Sequence, residues 1–376
     1  MPRIFIVTGE ASGDLHGGNL AREIYSLNPH ATIQGVGGHH MIDAGVKLVP
    51  EIERVDAIGI PGVKQLLRGY RTIRQLKKVL RNERFDAVVF IDSPAMNLRL
   101  AKSAAKAHQR VIYYIAPQIW AWGARRLAVI KRVVNRVIVI LPFEEALFRQ
   151  AGVPADFVGH PLLDTMAPSY NKPVLREQFG LSKDGLVIGI VPGSREHEVK
   201  NFLSIMLGAA KNVVTNYGKV QFIIAQAPNI STSLILEVMK TPEVEVKIIP
   251  HCPNEVMAAS DLLFIASGTA TLQAAIIGTP MIIAYRVPWL TYQIGKRLVT
   301  IPYIGLVNII AGKLVAPELI QHDMTPERLG SEALRLLRTP SLVQDMREAF
   351  QRVREAVGSP GASRRAAELV LKEIRA

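Results

Sequence analysis

The sequence predicts an α/β protein made of two Rossmann-like domains, each with a parallel sheet covered by helices on both faces. The chain has 376 residues, 49% of them hydrophobic, which is long for one core and sufficient for two buried sheets. Short apolar runs alternate with longer helical patterns from end to end, as βαβ units require. A polar, proline-containing break at residues 159–173 divides this alternation. We therefore expect two sheets that face each other across a cleft.

The first domain is predicted over residues 1–165. Its candidate strands are Ile4–Val7, Thr32–Val36, Ala87–Ile91, Val111–Tyr114, Val137–Ile140 and Phe157–Val158. Helical patterns lie between them at Gly17–Leu27, Val63–Arg81, Asn97–Ala107 and Glu144–Gln150. Parallel strands place their carboxyl ends at one edge of the sheet, where such folds bind ligands. Functional residues are therefore expected directly after these strands.

The second domain is predicted over residues 166–340. Its candidate strands are Leu186–Val191, Val220–Ala225, Val244–Ile248, Leu262–Ile265 and Met281–Tyr285. A long helical region, Thr325–Arg375, follows, with breaks at residues 339–340 and 358–361. We expect residues 341–376 to pack back towards the first domain.

The cysteine content and the distribution of apolar residues indicate the cellular compartment of the protein. Cys252 is the only cysteine, which argues against a disulfide framework or a cysteine-built zinc site and suits a reducing compartment. The first residues read as a strand rather than a charged leader, and no run of about 18 uncharged apolar residues occurs. A cytoplasmic location without a spanning helix is therefore expected.

The formal net charge of +13 requires an anionic partner or a well-solvated surface. Basic residues alternate with Leu, Ile and Val at helical spacing in residues 68–78 and 125–132. The first segment contains Arg68, Arg71, Arg74, Lys77 and Lys78. Nucleic acid is not expected, because no recognition motif or aromatic stacking set accompanies the charge. A basic amphipathic face on anionic lipid fits better, and a solvated helix face is the alternative.

The first strand runs into a glycine-rich segment at residues 8–18, T-G-E-A-S-G-D-L-H-G-G. Its glycines would let the backbone approach a ligand closely, but the spacing is not that of a dinucleotide site. Glu10 and Asp14 would also repel a pyrophosphate. We therefore assign the segment to an acceptor sugar, with Glu10, Ser12, Asp14 and His16 as candidate contacts. The alternative is a strand-to-helix turn with an Asp cap and with His16 as a helix-start residue.

Asp92 follows four apolar residues directly and should lie where the strand meets the crevice. A carboxylate there suits a general base that takes the proton of an acceptor hydroxyl. The alternative is that Asp92 caps the helix expected near Asn97, itself an acceptor-site candidate.

Two tryptophans, Trp120 and Trp122, occupy the loop after the strand at 111–114. They could stack on a sugar or contact acyl chains, and filling the space under the loop is an equal alternative. His160 lies near the predicted hinge and could reach the cleft.

In the second domain, Gly193, Ser194 and Arg195 follow a strand. Backbone donors, a hydroxyl and a fixed guanidinium are groups that hold a pyrophosphate without a metal. A surface salt bridge is the alternative for Arg195.

A small-residue turn forms a second candidate anion site in this domain. It exposes the first amides of a helix and consists of Ser267, Gly268, Thr269, Ala270 and Thr271. Gln273, one turn on, could reach ribose hydroxyls. Asn308 and Glu318 are further donor-site candidates, and the segment at 314–321 is interpreted as a loop and helix start.

Nine motifs in chain order, between about residue 3 and residue 321, resemble those of the lipid-A-disaccharide synthase family. They read G-E-A-S-G-D-x-H-G, G-V-G-G-x-x-M-x-x-A-G, D-S-P-A-M-N, A-P-Q-I-W-A-W, L-P-F-E, F-V-G-H-P-L, P-G-S-R-x-x-E, A-S-G-T-A-T-L-Q and L-V-N-I-I-A-G-K-x-V-A-P-E-L-I-Q.

The resemblance implies an inverting glycosyltransferase of GT-B architecture at the inner face of a Gram-negative inner membrane. It would join UDP-2,3-diacylglucosamine to 2,3-diacylglucosamine 1-phosphate and release UDP, without a metal or other cofactor. It assigns the base role to Asp92 and a donor-phosphate contact to Arg195. Gln273 stands where this family often has Glu, so a bond to the ribose diol would not be charge-assisted.

Two alternatives remain at this point, one within enzymes and one outside them. One is another UDP-GlcNAc-using GT-B enzyme, of the muramyl-pentapeptide transferase or 2-epimerase type. The other is a non-catalytic module that binds a nucleotide sugar or a lipid. The sequence does not determine acyl-chain preference or oligomeric state, and a homodimer is compatible with it.

Overall fold

A computed structural model describes residues 1–49, 63–120, 124–240, 244–288, 292–293 and 301–375. It describes only the backbone of residues 11, 63–68 and 124–125. The chain divides into two units, the first made of residues 1–165 with 357–376 and the second of residues 166–356. Within the described ranges, no helix has the length and apolar character needed to cross a membrane.

The first unit contains a parallel sheet of seven strands in the order β3-β2-β1-β4-β5-β6-β7. The strands are β1 (Arg3–Thr8), β2 (Thr32–Val36), β3 (Lys47–Leu48), β4 (Ala87–Ile91), β5 (Val111–Tyr114), β6 (Arg136–Val139) and β7 (Ala155–Phe157). Its helices before the second unit are α1 (Ala11–Leu27), α2 (His39–Asp43), α3 (Val63–Asn82), α4 (Pro94–Lys106), α5 (Ala124–Val133), α6 (Pro142–Gln150) and α7 (Leu162–Thr165).

Alternate residues of β1 show why the sheet is covered on both faces. Phe5 and Val7 pack in one apolar cluster, with α3, α4 and α5. Ile4 and Ile6 pack in the other, with α1. Since successive side chains of a strand point to opposite faces, a strand that is apolar throughout must be buried on both.

The second unit contains a parallel sheet of six strands in the order β10-β9-β8-β11-β12-β13. The strands are β8 (Leu186–Val191), β9 (Val220–Gln226), β10 (Val246–Pro250), β11 (Leu262–Ala266), β12 (Met281–Tyr285) and β13 (Glu318–Ile320). The helices are α8 (Lys172–Gln178), α9 (Glu196–Tyr217), α10 (Thr232–Met239), α11 (Pro253–Ala259), α12 (Thr269–Ile277), α13 (Leu306–Ala311), α14 (Pro326–Arg338) and α15 (Pro340–Ala356). The last helix, α16 (Ala362–Arg375), belongs to the first unit.

The predicted α/β class with two parallel sheets is confirmed, and the predicted strands match to within about two residues at each end. Two short strands, β3 and β13, were not predicted. The segment interpreted as a helix start at 314–321 instead contains β13, which pairs with β12. A three-residue strand is too short to show any periodicity in sequence.

The prediction that residues 341–376 return to the first domain is wrong for α15. This helix buries Met346 and Phe350 within the second unit, where the Met281 amide lies 3.4 Å from the Met346 sulfur. Only α16 returns, and Ala367 and Val370 join the cluster around Ile4. The change of unit comes at Val357, just before the Gly-rich break.

Candidate functional site

The carboxyl ends of β4 and β5 carry strained backbone. Asp92 and Ser93, directly after β4, have φ angles of 50° and 44°, and Ile115, directly after β5, has φ 58°. The left-handed region is unusual for any residue with a side chain and is a true outlier for a β-branched one. Such strain persists only where the surroundings enforce it, and it is common at active sites.

Two side chains hold the backbone of Asp92 in this conformation. The Tyr113 hydroxyl donates to the Asp92 carbonyl at 2.6 Å, and the Asn97 amide donates to the same oxygen at 2.8 Å. The Asn97 amide also donates to the Ile91 carbonyl at 3.0 Å. Both side chains are fully buried, so Asn97, predicted as an acceptor contact, instead fixes the turn that carries Asp92.

The Asp92 carboxyl group is mostly withdrawn from water. Burial raises its pKa, opposed by a hydrogen bond from the Ser93 amide. The helix that follows, α4, begins at Pro94 with Ser93 as its N-cap and has no side-chain capping bond. The alternative of Asp92 as the cap of this helix is therefore not observed. A raised pKa makes the ionised carboxylate a stronger base.

The glycine-rich segment is largely helical, since α1 begins at Ala11. A Cβ on Gly9 would lie 2.2 Å from the Ser93 hydroxyl oxygen, so the segment adjoins the strained turn. A Cβ on Gly18 would lie 2.4 Å from the His40 carbonyl oxygen. These glycines thus permit close packing of protein against protein. Ser12 is exposed in the first turn of α1, and Glu10 is half-buried before it.

Asp14, predicted as an acceptor contact, binds backbone amides of the protein itself. Its carboxylate accepts hydrogen bonds from the amides of Gly38, His40 and Met41 at 2.6 to 3.2 Å. The side chain is 2% exposed. Asp14 therefore neutralises the start of α2, where backbone amides have no helical partners.

His16 lies near His160 and Asp164. Burial lowers the pKa of His16 to about 4, opposed by Asp164. Burial and then the neighbouring His16 lower the pKa of His160 to about 4, again opposed by Asp164. Asp164 accepts from the Gly361 amide at 2.6 Å, at the start of α16. This group ties α1 and the C-terminal helix together, and both imidazoles are neutral at pH 7.

Trp120 is anchored by its indole N–H, which donates to Glu144 Oε1 at 2.9 Å. Its ring packs edge-on against Phe143, with centroids 5.3 Å apart. Glu144 is 1% exposed, and burial raises its pKa to about 7, opposed by bonds from Trp120 and backbone amides. The L-P-F-E motif, which contains Phe143 and Glu144, therefore holds the loop that carries Trp120 in place. Trp122 lies outside the described residues.

In the second unit, Gly193, Ser194 and Arg195 follow β8 and lead into α9. The Ser194 and Arg195 amides donate to Glu198 Oε2 at 2.9 and 3.1 Å. Arg195 Nη1 donates to Glu198 Oε1 at 3.3 Å, and its side chain is 58% exposed. The backbone donors expected for a pyrophosphate are thus engaged by a carboxylate, while most of the guanidinium faces solvent.

Tyr285 is a residue of this site that sequence reasoning missed. It ends β12, and its pKa is raised by burial and by Glu198 and lowered by Arg195. The phenol therefore lies within electrostatic reach of the Arg195–Glu198 pair. The only signal in the sequence is an aromatic residue at the carboxyl end of a strand, which resembles any other core residue.

The small-residue turn begins α12 at Thr269, with Gly268 as its N-cap. The first amides of the helix have no partners within it. Ser267 donates from its hydroxyl to the Ile304 carbonyl, and Thr271 to the Gly268 carbonyl. Gln273 donates to Asn254 Oδ1 at 3.0 Å, so its amide is positioned by α11. Ala270 is half-buried beside them.

Asn308, predicted as a donor contact, binds groups of the protein itself. Its side chain is fully buried, donates to the Ala316 carbonyl and to Glu318, and accepts from the Val315 and Ala316 amides. Glu318 accepts from the Ile304 and Gly305 amides at 2.8 to 3.2 Å. The carboxylate therefore holds the backbone that leads into α13. Across the described ranges, no group of three or more His, Cys, Asp or Glu side chains could hold a metal ion.

Solved structures of similar fold include a UDP-GlcNAc 2-epimerase and glycosyltransferases. UDP-GlcNAc 2-epimerase from Neisseria meningitidis, bound to UDP-GlcNAc, matches with a TM-score of 0.64 at 15% identity, over 98% of this chain and 100% of that one. MurG from Acinetobacter baumannii matches with a TM-score of 0.61 at 14% identity, over 99% and 100%. CalG4, the calicheamicin glycosyltransferase, matches with a TM-score of 0.61 at 16% identity, over 100% and 98%. The chain thus has the fold of the GT-B glycosyltransferases and related epimerases.

The family described as lipid-A-disaccharide synthetase matches residues 4–373. The chain belongs to this family. The lipid-A-disaccharide synthase of Syntrophus aciditrophicus (strain SB) is 41% identical over 374 residues, which cover 99% of this chain and 98% of that one. The enzyme of the same name from Geobacter metallireducens is 39% identical, over 99% and 97%. The predicted family and the glycosyltransferase class are confirmed.

Proposed function

We propose that the protein joins UDP-2,3-diacylglucosamine to 2,3-diacylglucosamine 1-phosphate with inversion, and that Asp92 is the general base. The observation that carries the proposal is the locked turn at Asp92, where two buried side chains hold a strained backbone behind a carboxylate of raised pKa. A turn that served only to connect a strand with a helix would relax to an unstrained conformation.

The proposed reaction needs one proton acceptor. Asp92 takes the proton of the acceptor's 6-hydroxyl group as the hydroxyl oxygen forms a bond to the anomeric carbon of the donor. The bond from that carbon to the UDP oxygen breaks, and UDP leaves with the electron pair. Transfer to a carboxylate whose pKa is raised by burial is more favourable than transfer to an exposed one.

The departing diphosphate requires positive charge, which we propose that Arg195 supplies. Its guanidinium is the exposed cation of the loop after β8, and it can bind two phosphate oxygens at once. The amides that begin α12 provide a second place for negative charge. These groups would stabilise UDP without a metal or other cofactor.

We also propose that α3 contacts an anionic membrane at the cytoplasmic face. Its inner side buries Thr72, Leu76 and Leu80, and its outer side exposes Arg71, Arg74 and Lys78, with Tyr70 68% exposed beside them. Lys77 is half-buried, and the side chain of Arg68 lies outside the described residues. Each basic residue near anionic lipid contributes about 1 kcal/mol.

The reaction is tested with Asp92→Asn, following UDP release and the mass of the product. We expect a disaccharide 1-phosphate with equimolar UDP from the parent, and turnover at least about a hundredfold lower in the variant with unchanged UDP affinity. Asp86→Asn is the matched control, since Asp86 precedes the same strand at its other end and binds the Arg3 amide. A variant that keeps more than about a tenth of the rate would remove Asp92 as the base.

The membrane proposal is tested with Arg71, Arg74 and Lys78 all changed to Ser. Loss of three basic contacts predicts at least about a tenfold loss of binding to anionic vesicles, with little change in turnover of detergent-dispersed substrate. The control changes three exposed lysines of the second unit, Lys183, Lys200 and Lys240, to Ser. Equal vesicle binding by both variants would exclude α3 as the membrane contact.

A further inference from the structure

A cavity of about 320 Å³ lies within the second unit, at the amino-terminal ends of β11 and β12. This is the opposite edge of the sheet from Arg195 and the start of α12. Three basic side chains line it, namely Lys172, Arg347 and Arg354. Its other lining residues include Ser169, Tyr170, Ile276, Ile277 and Pro280. The proposed reaction uses none of them.

Positive charge in this cavity exceeds the negative charge beside it. Lys172 pairs with Asp261 at 2.6 Å, but the same carboxylate also pairs with Arg176 at 2.7 Å. Arg347 and Arg354 have no carboxylate within 4.0 Å among the residues that the structure describes. Asp261 therefore pairs with two cations, and neither Arg347 nor Arg354 is one of them.

The two arginines are placed on one side of α15. They are seven residues apart, two helical turns, and therefore project from the same face. No acidic residue stands three or four positions from either, whereas Arg352, on another face of α15, has Glu348 and Glu355 at these spacings. Helical spacing thus offers Arg352 two carboxylates and offers Arg347 and Arg354 none.

The charge on Lys172 supports the same conclusion. Burial lowers its pKa, Asp261 raises it, and Arg176 and Arg347 lower it further. An anion in the cavity would offset the repulsion between Lys172 and these arginines. Capping of a helix end explains part of the arrangement, since Arg354 Nη1 lies 3.4 Å from the Ile276 carbonyl near the end of α12. Among the described residues, Arg347 makes no such contact.

We propose that this cavity binds the phosphate group of a small phosphorylated ligand, held between Lys172, Arg347 and Arg354. The volume is within the range of small-molecule sites. Guanidinium groups bind phosphate oxygens in pairs, and the ammonium group adds a point charge. The hydroxyl groups of Ser169 and Tyr170 and the apolar wall of Ile276, Ile277 and Pro280 suit the rest of such a molecule. The ligand would act at a site separate from the donor phosphates.

The probes are inorganic phosphate and glycerol 3-phosphate, titrated calorimetrically into the whole protein. We expect the double variant Arg347→Gln and Arg354→Gln to weaken binding at least tenfold, and the matched control Arg352→Gln to leave it unchanged. The variant Arg195→Gln shows whether part of the phosphate binding occurs at the donor site. We expect this variant to leave phosphate binding at the cavity intact. UDP affinity in the double variant verifies that the second unit remains folded.

Vesicles that contain phosphatidic acid distinguish the two sources of the phosphate. A soluble ligand is supported if the parent binds the soluble probes and the double variant binds vesicles as the parent does. A loss of vesicle binding in the double variant, beside a loss of phosphate binding, supports a lipid headgroup. The proposal is overturned if the parent binds neither phosphate probe, if the double variant binds both as the parent does, or if Arg352→Gln weakens binding equally.

Discussion

Tyr113→Phe isolates the effect of the locked turn without touching the proposed base. The substitution removes one hydroxyl from a fully buried ring, and with it the 2.6 Å bond to the Asp92 carbonyl. Asn97 remains as the second donor to that oxygen. One neutral buried hydrogen bond contributes about 1 to 1.4 kcal/mol. Left-handed backbone at a residue with a side chain costs a similar amount, so the variant populates a relaxed turn.

If turnover requires the strained turn, this energy converts directly into rate. Since about 1.4 kcal/mol is a factor of ten, kcat should fall roughly five- to tenfold, with little change in the KM for the donor. Tyr114→Phe is the matched control, because this neighbouring tyrosine is equally buried but packs in the cluster on the other face of the sheet. It should alter kcat less than about twofold.

The pH profile separates positioning from a general loss of stability. Activity falls on the acid side as Asp92 becomes protonated, and burial raises the pKa of this carboxyl group. A relaxed turn would expose the group to more water, so the acid limb of kcat/KM should move to lower pH in Tyr113→Phe. A reduced kcat with an unmoved acid limb would refute the positioning role, and so would equal losses in the two phenylalanine variants.

Two further predictions concern buried or paired glutamates. Glu198→Gln should tighten UDP binding about fivefold by calorimetry, because it removes a negative charge beside Arg195 and weakens the acceptor that the loop amides bind. Glu196→Gln makes the same change of charge two residues away and should leave UDP affinity unchanged. Weaker binding in Glu198→Gln would show that the carboxylate supports the site rather than competing with UDP. Burial raises the pKa of Glu144 from 4.5 to about 7, so the folded state holds this proton more tightly and the group's contribution to stability falls as pH rises from about 4.5 to about 7. Glu144→Gln should flatten that part of the curve of unfolding free energy against pH, and an unchanged slope would contradict the shift.

Much of the fold could be predicted because buried parallel strands are apolar throughout and are separated by helical spacing. β4 and β12, for example, are continuous apolar runs bounded by polar residues. β3 and β13 could not be found, since two or three residues show no period. The sequence also could not predict to which unit α15 belongs. An amphipathic pattern shows that a helix has an apolar face, but it does not show which core that face packs against.

The site was predictable only in part. Asp92 could be found because a carboxylate directly after a strand of five buried residues has few structural reasons to be there. The bonds from backbone amides to Asp14, Asn308 and Glu318 could not be predicted, because a polar residue near a strand end looks the same in sequence whether it binds a ligand or a backbone amide. Tyr113 was missed for the opposite reason, as its hydroxyl belongs to a residue that the strand pattern places in the core.

Asp14, Asn308 and Glu318 share a physical role that explains why they occur near the functional edges. A loop after a strand has backbone amides that the sheet and the next helix leave unpaired, and burial makes each unpaired amide costly. Asp14 satisfies three such amides and Glu318 two, while Asn308 satisfies two amides and a carbonyl group. The loops can then keep one conformation without covering their exposed groups, such as Arg195. Rigid placement of a few reactive groups therefore requires more polar residues than the chemistry itself uses.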